Sequence, residues 1–215
     1  MGSLASIPAL RGLPPAALQA LTGQTRAARF AAGTVLRPAG EVAHSVVLLL
    51  SGTVVATYVK PAGVEVWPER WVGPALVDKP AVLDGDPPST GLMAMTTISV
   101  RLLRRAGFFR LLEDERSVRE HVLAQLARDA MAGRRRLAQA ATLPAVAQLA
   151  IWLTAQNQNQ RVAWRGSQEH LARVLGFSRV TVNRALAQLT QAGAVRLTAH
   201  GIVIADQTRL ATFIG

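Results

Sequence analysis

Between Ser167 and Asp206 the chain gathers side chains suited to reading a polyanion: the guanidinium groups of Arg179 and Arg184, the amide of Asn183, and hydroxyls at Ser167, Ser178 and Thr181. A guanidinium can donate two hydrogen bonds to guanine O6 and N7. Hydroxyls and free helix-start N–H groups suit phosphate oxygens, which fix register without reading sequence. The spacing fits two helices around a sharp turn. Ser167 caps a helix whose apolar face is Leu171, Val174 and Leu175, and Ala172 is small where a second helix crosses. Gly176 supplies the turn and Phe177 plugs the space behind it. Ser178 then caps a second helix with Val182, Leu186 and Leu189 inward and Arg179, Val180, Asn183 and Arg184 outward. A lone surface arginine is ordinarily just solvated, but two at the start of such a helix read as base contacts in a major groove.

The neighbouring elements make that reading more specific. After Gly193, Val195-Leu197 and Ile202-Ile204 alternate around Ala199-His200-Gly201, a hairpin or wing with Arg196 and His200 near its tip. A short strand, Val162-Trp164, is expected before Ser167, and a helix from Ala145 to Ala155 before the polar stretch Gln156 to Gln160. Pro144 ends whatever helix precedes it. From about Asp114 the residues Val118, Val122, Leu126, Ala130, Gly133, Leu137 and Ala140 recur at steps of three or four, one stripe on a helix of roughly seven turns. A helix that long needs a partner for its stripe, and Ala130 and Gly133 are small enough for two copies to approach closely, so Val118, Val122, Leu126, Ala130, Gly133 and Leu137 are expected at a homodimer interface. Arg134-Arg135-Arg136 reads as a solvated face.

Upstream the texture is β-rich. Pro14-Pro15 with Ala16, Leu18 and Leu21 marks a short opening helix. Runs at Val46-Leu50, Thr53-Val59 and Thr97-Leu103 alternate with turn signals at Ala39-Gly40, Ser51-Gly52, Ala62-Gly63 and Asp84-Gly85-Asp86-Pro87-Pro88, which predicts a sandwich or barrel. The expected organisation is α+β: a β-roll over 1–113, a long helix and hinge over 114–143, and a winged helix-turn-helix over 144–215.

Composition narrows the classes. The net charge of +11 favours polyanionic partners, although GC-rich codon usage gives the same skew, since Lys60 and Lys79 are the only lysines. Without cysteine, disulfides, thiolate catalysis and cysteine-held zinc or iron–sulfur clusters are excluded. The N-terminus has no basic region followed by a long apolar run, and no apolar stretch is long enough to span a bilayer, so a cytoplasmic protein without membrane contact is expected. Asp84 and Asp86 read as a turn, and Glu113-Asp114-Glu115 as the acidic start of a helix. No nucleophile–base pairing or metal-ligand spacing emerges, which speaks against an enzyme.

The whole chain resembles the Crp/Fnr family of transcription regulators. The likeness is strongest through Gln168-Glu169-His170-Leu171-Ala172, Gly176-Phe177-Ser178-Arg179 and Thr181-Val182-Asn183-Arg184. It continues upstream through Gly33-Thr34, Gly40-Glu41 and the strand pair Val46-Leu50 and Gly52-Ala56. The resemblance implies an N-terminal double-stranded β-helix (jelly-roll) that senses an effector, a long dimerisation helix, and a C-terminal winged helix that binds a pseudo-palindromic double-stranded operator as a homodimer and contacts RNA polymerase.

Departures from the family pattern bear on the signal. Members that bind cyclic nucleotides carry a G-E-L segment and an R-S/T-A segment, whose glutamate holds the ribose and whose arginine neutralises the phosphate. Gly73-Pro74-Ala75-Leu76 and Ser89-Thr90-Gly91 stand there instead, and Ala130 and Met131 replace hydroxyl residues on the long helix. Losing both charged groups weighs against cyclic AMP. The pocket expected from the resemblance involves Gly73, Pro74, Ala75, Ser89, Thr90, Met93, Ala130 and Met131. Haem stays open, with His44 as axial ligand and Met93 and Met95 nearby, which would make the chain a gas or redox sensor. Many members also have glutamate directly after the first recognition-helix arginine. Val180 stands there, and its methyls suit a thymine methyl, so the operator should differ from the usual family site at that position. A nonspecific, architectural nucleic-acid-binding protein is the alternative of another class.

Overall fold

The computed structural model describes residues 3–61, 63–156, 164, 166–199 and 201–214. The chain forms two compact units, Met1–Met131 and Ala132–Gly215. The division falls inside the long helix, upstream of the expected boundary at Pro144, because the first turns of that helix belong to the core of the N-terminal unit.

The N-terminal unit opens with two short 3₁₀ turns and helix α1 (Pro15–Gln24), with Pro14 and Pro15 at its start where no N–H is missed. The roll follows: β1 (Thr25–Phe30), β2 (Val35–Arg37), β3 (Ser45–Ser51), β4 (Thr53–Val59), β5 (Glu65–Val66), β6 (Arg70–Val72), β7 (Ala75–Val77), helix α2 (Lys79–Asp84), β8 (Gly91–Ala94) and β9 (Ile98–Arg104). Two antiparallel sheets result, one in the order β1-β9-β3-β7, the other β2-β8-β4-β5 with β6 also paired to β4.

Strand β3 shows why these runs read as continuous apolar stretches. Its Val46 and Leu48 face a helical layer with Leu21, Phe108 and Val118, while Val47 and Leu49 face the roll interior with Val54, Leu92, Ile98 and Val100. Both faces are covered, so alternation disappears. Gly52 turns β3 into β4 at φ 90°, and a side chain there would strike the Thr97 carbonyl and Ile98.

Two helices were not legible in advance. Helix α2 fills part of what reads as a turn-rich connection, and α3 (Arg105–Asp114) precedes the long helix α4 (Arg116–Thr142). Arg105 links them: its Nε donates to the Val82 carbonyl at 2.8 Å near the end of α2, and its guanidinium stacks 4.8 Å from the Phe109 ring.

The C-terminal unit contains α5 (Ala145–Gln156), α6 (Gln168–Leu175), α7 (Arg179–Gln191), the hairpin β10 (Val195–Thr198) and β11 (Gly201–Ile204), and α8 (Gln207–Ala211). Its core joins Leu149, Leu153, Leu171, Val182, Leu186 and Leu189 to Trp164, Ile202 and Leu210. Of the expected strand Val162-Trp164, only Trp164 lies within the described residues. Its carbonyl accepts from Ile202 N–H at 3.0 Å, and its ring meets Trp152 edge-on with centroids 5.3 Å apart, so it ties the wing to α5.

Candidate nucleic-acid interface

The two-helix element forms as its residue types require. Ser167 Oγ accepts from His170 N–H at 3.1 Å, and Ser178 Oγ accepts from Thr181 N–H at 3.0 Å, so each serine caps its helix. Gly176 ends α6 in the left-handed region at φ 71°, a conformation that favours glycine. Leu171 and Ala172 on α6 and Val182, Ala185, Leu186 and Leu189 on α7 are buried. That packing turns one face of α7 outward.

Arg179, Val180, Asn183 and Arg184 are all exposed on that face, together with the Ser178 cap. Ser178 and Thr181 also share a hydrogen bond between their hydroxyls at 2.8 Å, which fixes both at the helix start. The cap uses the Thr181 N–H and leaves those of Arg179 and Val180 facing out of the first turn. Arg196 is exposed but sits within β10 opposite Val203, below the tip of the wing; His200 lies outside the described residues. From position 132 onward the chain carries ten arginines against Glu169 and Asp206, a net +8 of its +11. An exposed, arginine-bearing helix face in the most basic part of the chain is the electrostatic footprint of a nucleic-acid reader.

Residues 145–213 match the family of Crp-like helix-turn-helix domains. The C-terminal unit is thus a helix-turn-helix domain of the Crp-like kind. It is 27% identical over 210 residues to a CRP-like cAMP-activated global transcriptional regulator of Mycobacterium tuberculosis, covering 94% of this chain and 93% of that one. In fold, the chain is similar to the c-di-GMP responsive global regulator CLP of Xanthomonas campestris, with a TM-score of 0.76 at 16% identity over 90% of this chain and 100% of the other. It is also similar to FixK2 of Bradyrhizobium japonicum, with a TM-score of 0.74 at 19% identity over 89% and 98%.

The roll holds a cavity beside part of the expected pocket. Of the eight residues named for it, Pro74 and Ala75 border a cavity of about 340 Å³, whose helical wall is His121, Gln125 and Asp129. Gly73, Ser89, Thr90 and Met93 lie outside that lining, and Ala130 and Met131 are exposed on α4. The two segments are joined by residues that sequence reasoning missed. Arg37 on β2 is buried; its Nη2 donates to Asp78 Oδ2 at 2.7 Å, and its Nη1 donates to the Thr90 carbonyl at 2.9 Å. Asp78 sits just after β7 in the left-handed region at φ 58°. Burial raises its carboxyl pKa more than the hydrogen bond and charge of Arg37 lower it. One guanidinium thus straps together the two segments that a cyclic-nucleotide binder would use on its ligand.

His44 borders a smaller cavity, of about 210 Å³, beside Arg37 and Asp78. Neither Met93 nor Met95 lines it, and the volume is below the roughly 300–1,000 Å³ of small-molecule sites. His44 and a methionine therefore do not meet at this cavity.

The expected dimer stripe needs correction. Val118 and Val122 are fully buried in their own unit's core, and Leu126 packs against the same cluster. Val118 and Val122 are therefore closed to a second chain, whereas Leu126 is only partly buried. The face that α4 leaves exposed carries Leu123, Ala127, Ala130, Arg134, Leu137 and Ala141, with Gly133 half-buried beside it.

Proposed function

We propose that the chain is a cytoplasmic, homodimeric, sequence-specific DNA-binding regulator whose α7 enters the major groove of each half of a pseudo-palindromic operator. Arg179 and Arg184 contact bases, Val180 packs on a thymine methyl, and Ser178, Thr181, Asn183 and Ser167 position the phosphates, with Arg196 on the flank. The carrying observation is the exposed face of α7, held by two capped helices. Dimerisation is supported by α4, whose exposed residues Leu123, Ala127, Ala130, Arg134, Leu137 and Ala141 step by four and three, the spacing of a two-stranded seam. Leu137 is 73% exposed, which is costly for a leucine in a single chain.

Signal reception in the roll is read as independent of cyclic AMP, although a relative is cAMP-activated. Pro74 and Ser89 bring no charge to the ligand positions, and Arg37, whose guanidinium reaches the Thr90 carbonyl, is already engaged with Asp78. RNA polymerase is the further partner that this class of regulator implies. Selection of bound sequences from random duplexes tests the reading: an enriched two-fold symmetric site with a changed base pair opposite Val180, bound by a dimer in sedimentation, is expected. Equal recovery of all sequences would point to a nonspecific architectural protein and overturn it.

A further inference from the structure

Helix α7 carries no acceptor-only side chain. From Arg179 to Gln191 it has no aspartate or glutamate, and its exposed first turns present the guanidinium groups of Arg179 and Arg184, the amide of Asn183 and the two methyls of Val180. The carboxylates on either side of it are occupied: Glu169 on α6 pairs with Arg173 at 2.8 Å, and Asp206 caps α8 by accepting from Arg209 N–H at 3.0 Å. Cytosine and thymine differ in the major groove in two ways. Cytosine donates from N4 where thymine accepts at O4, and thymine carries a C5-methyl that cytosine lacks. A carboxylate reads the first difference. Val180, 59% exposed in the first turn, reads only the second. Its neighbours do not supply the missing distinction. The Thr181 hydroxyl is tied to Ser178 Oγ at 2.8 Å, and the Asn183 amide, with both donor and acceptor, excludes neither base.

We propose that Val180 makes the protein a reader of the C5-methyl rather than of the base, so that 5-methylcytosine is accepted at this operator position as thymine is. This role rests on the reading of α7 as a base-contacting helix with Val180 against a thymine methyl. It adds a covalently modified DNA as ligand, and methylation of the operator as a signal that acts at the output end with no part for the roll. Thymine and 5-methylcytosine carry the methyl on the same ring carbon, so one valine contact covers it in either base. Burying one methyl against the valine is worth about fourfold in affinity. An operator of two half-sites meets the contact twice, for about 15-fold.

The test uses the full chain and the operator obtained by selection from random duplexes. The position opposite Val180 is the base pair whose preference changes in Val180→Glu. Duplexes that differ only there, carrying thymine, deoxyuridine, cytosine or 5-methylcytosine in both half-sites, are compared by competition binding at fixed salt. Thymine against deoxyuridine isolates the methyl with the hydrogen-bonding edge unchanged, and 5-methylcytosine against cytosine does the same for the other base. Both ratios are expected to be about 15. In Val180→Glu, cytosine and 5-methylcytosine should bind alike and better than thymine, because the carboxylate accepts from N4. Val180 lies outside the core of its unit, and an acid is favoured in the first turn of a helix, so the variant should fold as the parent does. If no position changes in the variant, or thymine and deoxyuridine bind alike, Val180 meets no methyl, and the base-contact reading falls together with the proposal. If thymine outbinds deoxyuridine while 5-methylcytosine gains nothing over cytosine, that reading stands and the proposal alone is overturned. An advantage of 5-methylcytosine that Val180→Glu retains overturns it as well, since the methyl then acts through the shape of the DNA.

Discussion

In the winged-helix unit Arg179, Arg184 and Arg196 project from exposed surfaces, whereas in the roll Arg37 and Lys79 are among the few buried charged side chains. An exposed guanidinium keeps its hydration, so the fold is indifferent to it and it is free for a phosphate or a base edge. A buried one must find acceptors inside the protein or destabilise it. Arg37 has found them, in Asp78 and the carbonyls of Thr90, Glu41 and Pro38. Lys79 has found one, in the Leu76 carbonyl at 3.2 Å. The exposed arginines of α7 and β10 are therefore available for recognition without structural consequence, and Arg37 and Lys79 in the roll are structure first.

The strongest challenge to that contrast is Arg37→Met. It leaves the Asp78 carboxylate buried without its partner and three carbonyls without a donor, which should cost about 3–5 kcal/mol by urea denaturation. A loss below about 1 kcal/mol would show that the strap between the two segments is not structural. Arg184→Ala is the counterpart: an unchanged Tm, since the side chain is exposed, with about 1–3 kcal/mol lost against the selected operator and relaxed preference at one base pair, measured by competition binding. Equal weakening on all sequences would make Arg184 a phosphate contact. Ser178→Ala lies between the two. Loss of the cap to Thr181 N–H should cost about 1 kcal/mol of stability, and Ser178→Asp should restore most of it in thermal unfolding while weakening DNA binding by charge repulsion.

The same contrast explains what could be read in the sequence. The helix-turn-helix is local: two capping serines, a left-handed glycine and an apolar face fall within 25 consecutive residues, Ser167 to Gln191, so short-range chemistry specifies it. Arg37 and Asp78 are 41 residues apart, and only the roll's closure brings them together. Helix α2 had a signal, since Pro80 stands in its first turn. It was hidden by the turn residues Asp84-Gly85-Asp86 that follow. The long helix misled for a different reason. It carries two apolar stripes, one through Val118 and Val122, the other through Leu123, Ala130 and Leu137, and periodicity cannot say which is covered by its own chain. Burial decides it: the first packs on Phe108 and Leu111, and the second is left to solvent.

The smallest effect concerns Lys79 and separates it from every exposed cation in the chain. Burial lowers its pKa from 10.5, so between the folded value and 10.5 the unfolded chain binds a proton that the folded chain does not. In that window stability rises with pH; it is lost as pH falls through the folded pKa, and below that value the cost is constant. Lys79→Met abolishes the term. The gap in Tm between Lys79→Met and the parent should thus be widest at neutral pH, in favour of the variant, and narrow as pH approaches 10.5. Other titrating groups cancel in the difference. A gap that is independent of pH would mean that Lys79 keeps its proton as easily in the fold as in water.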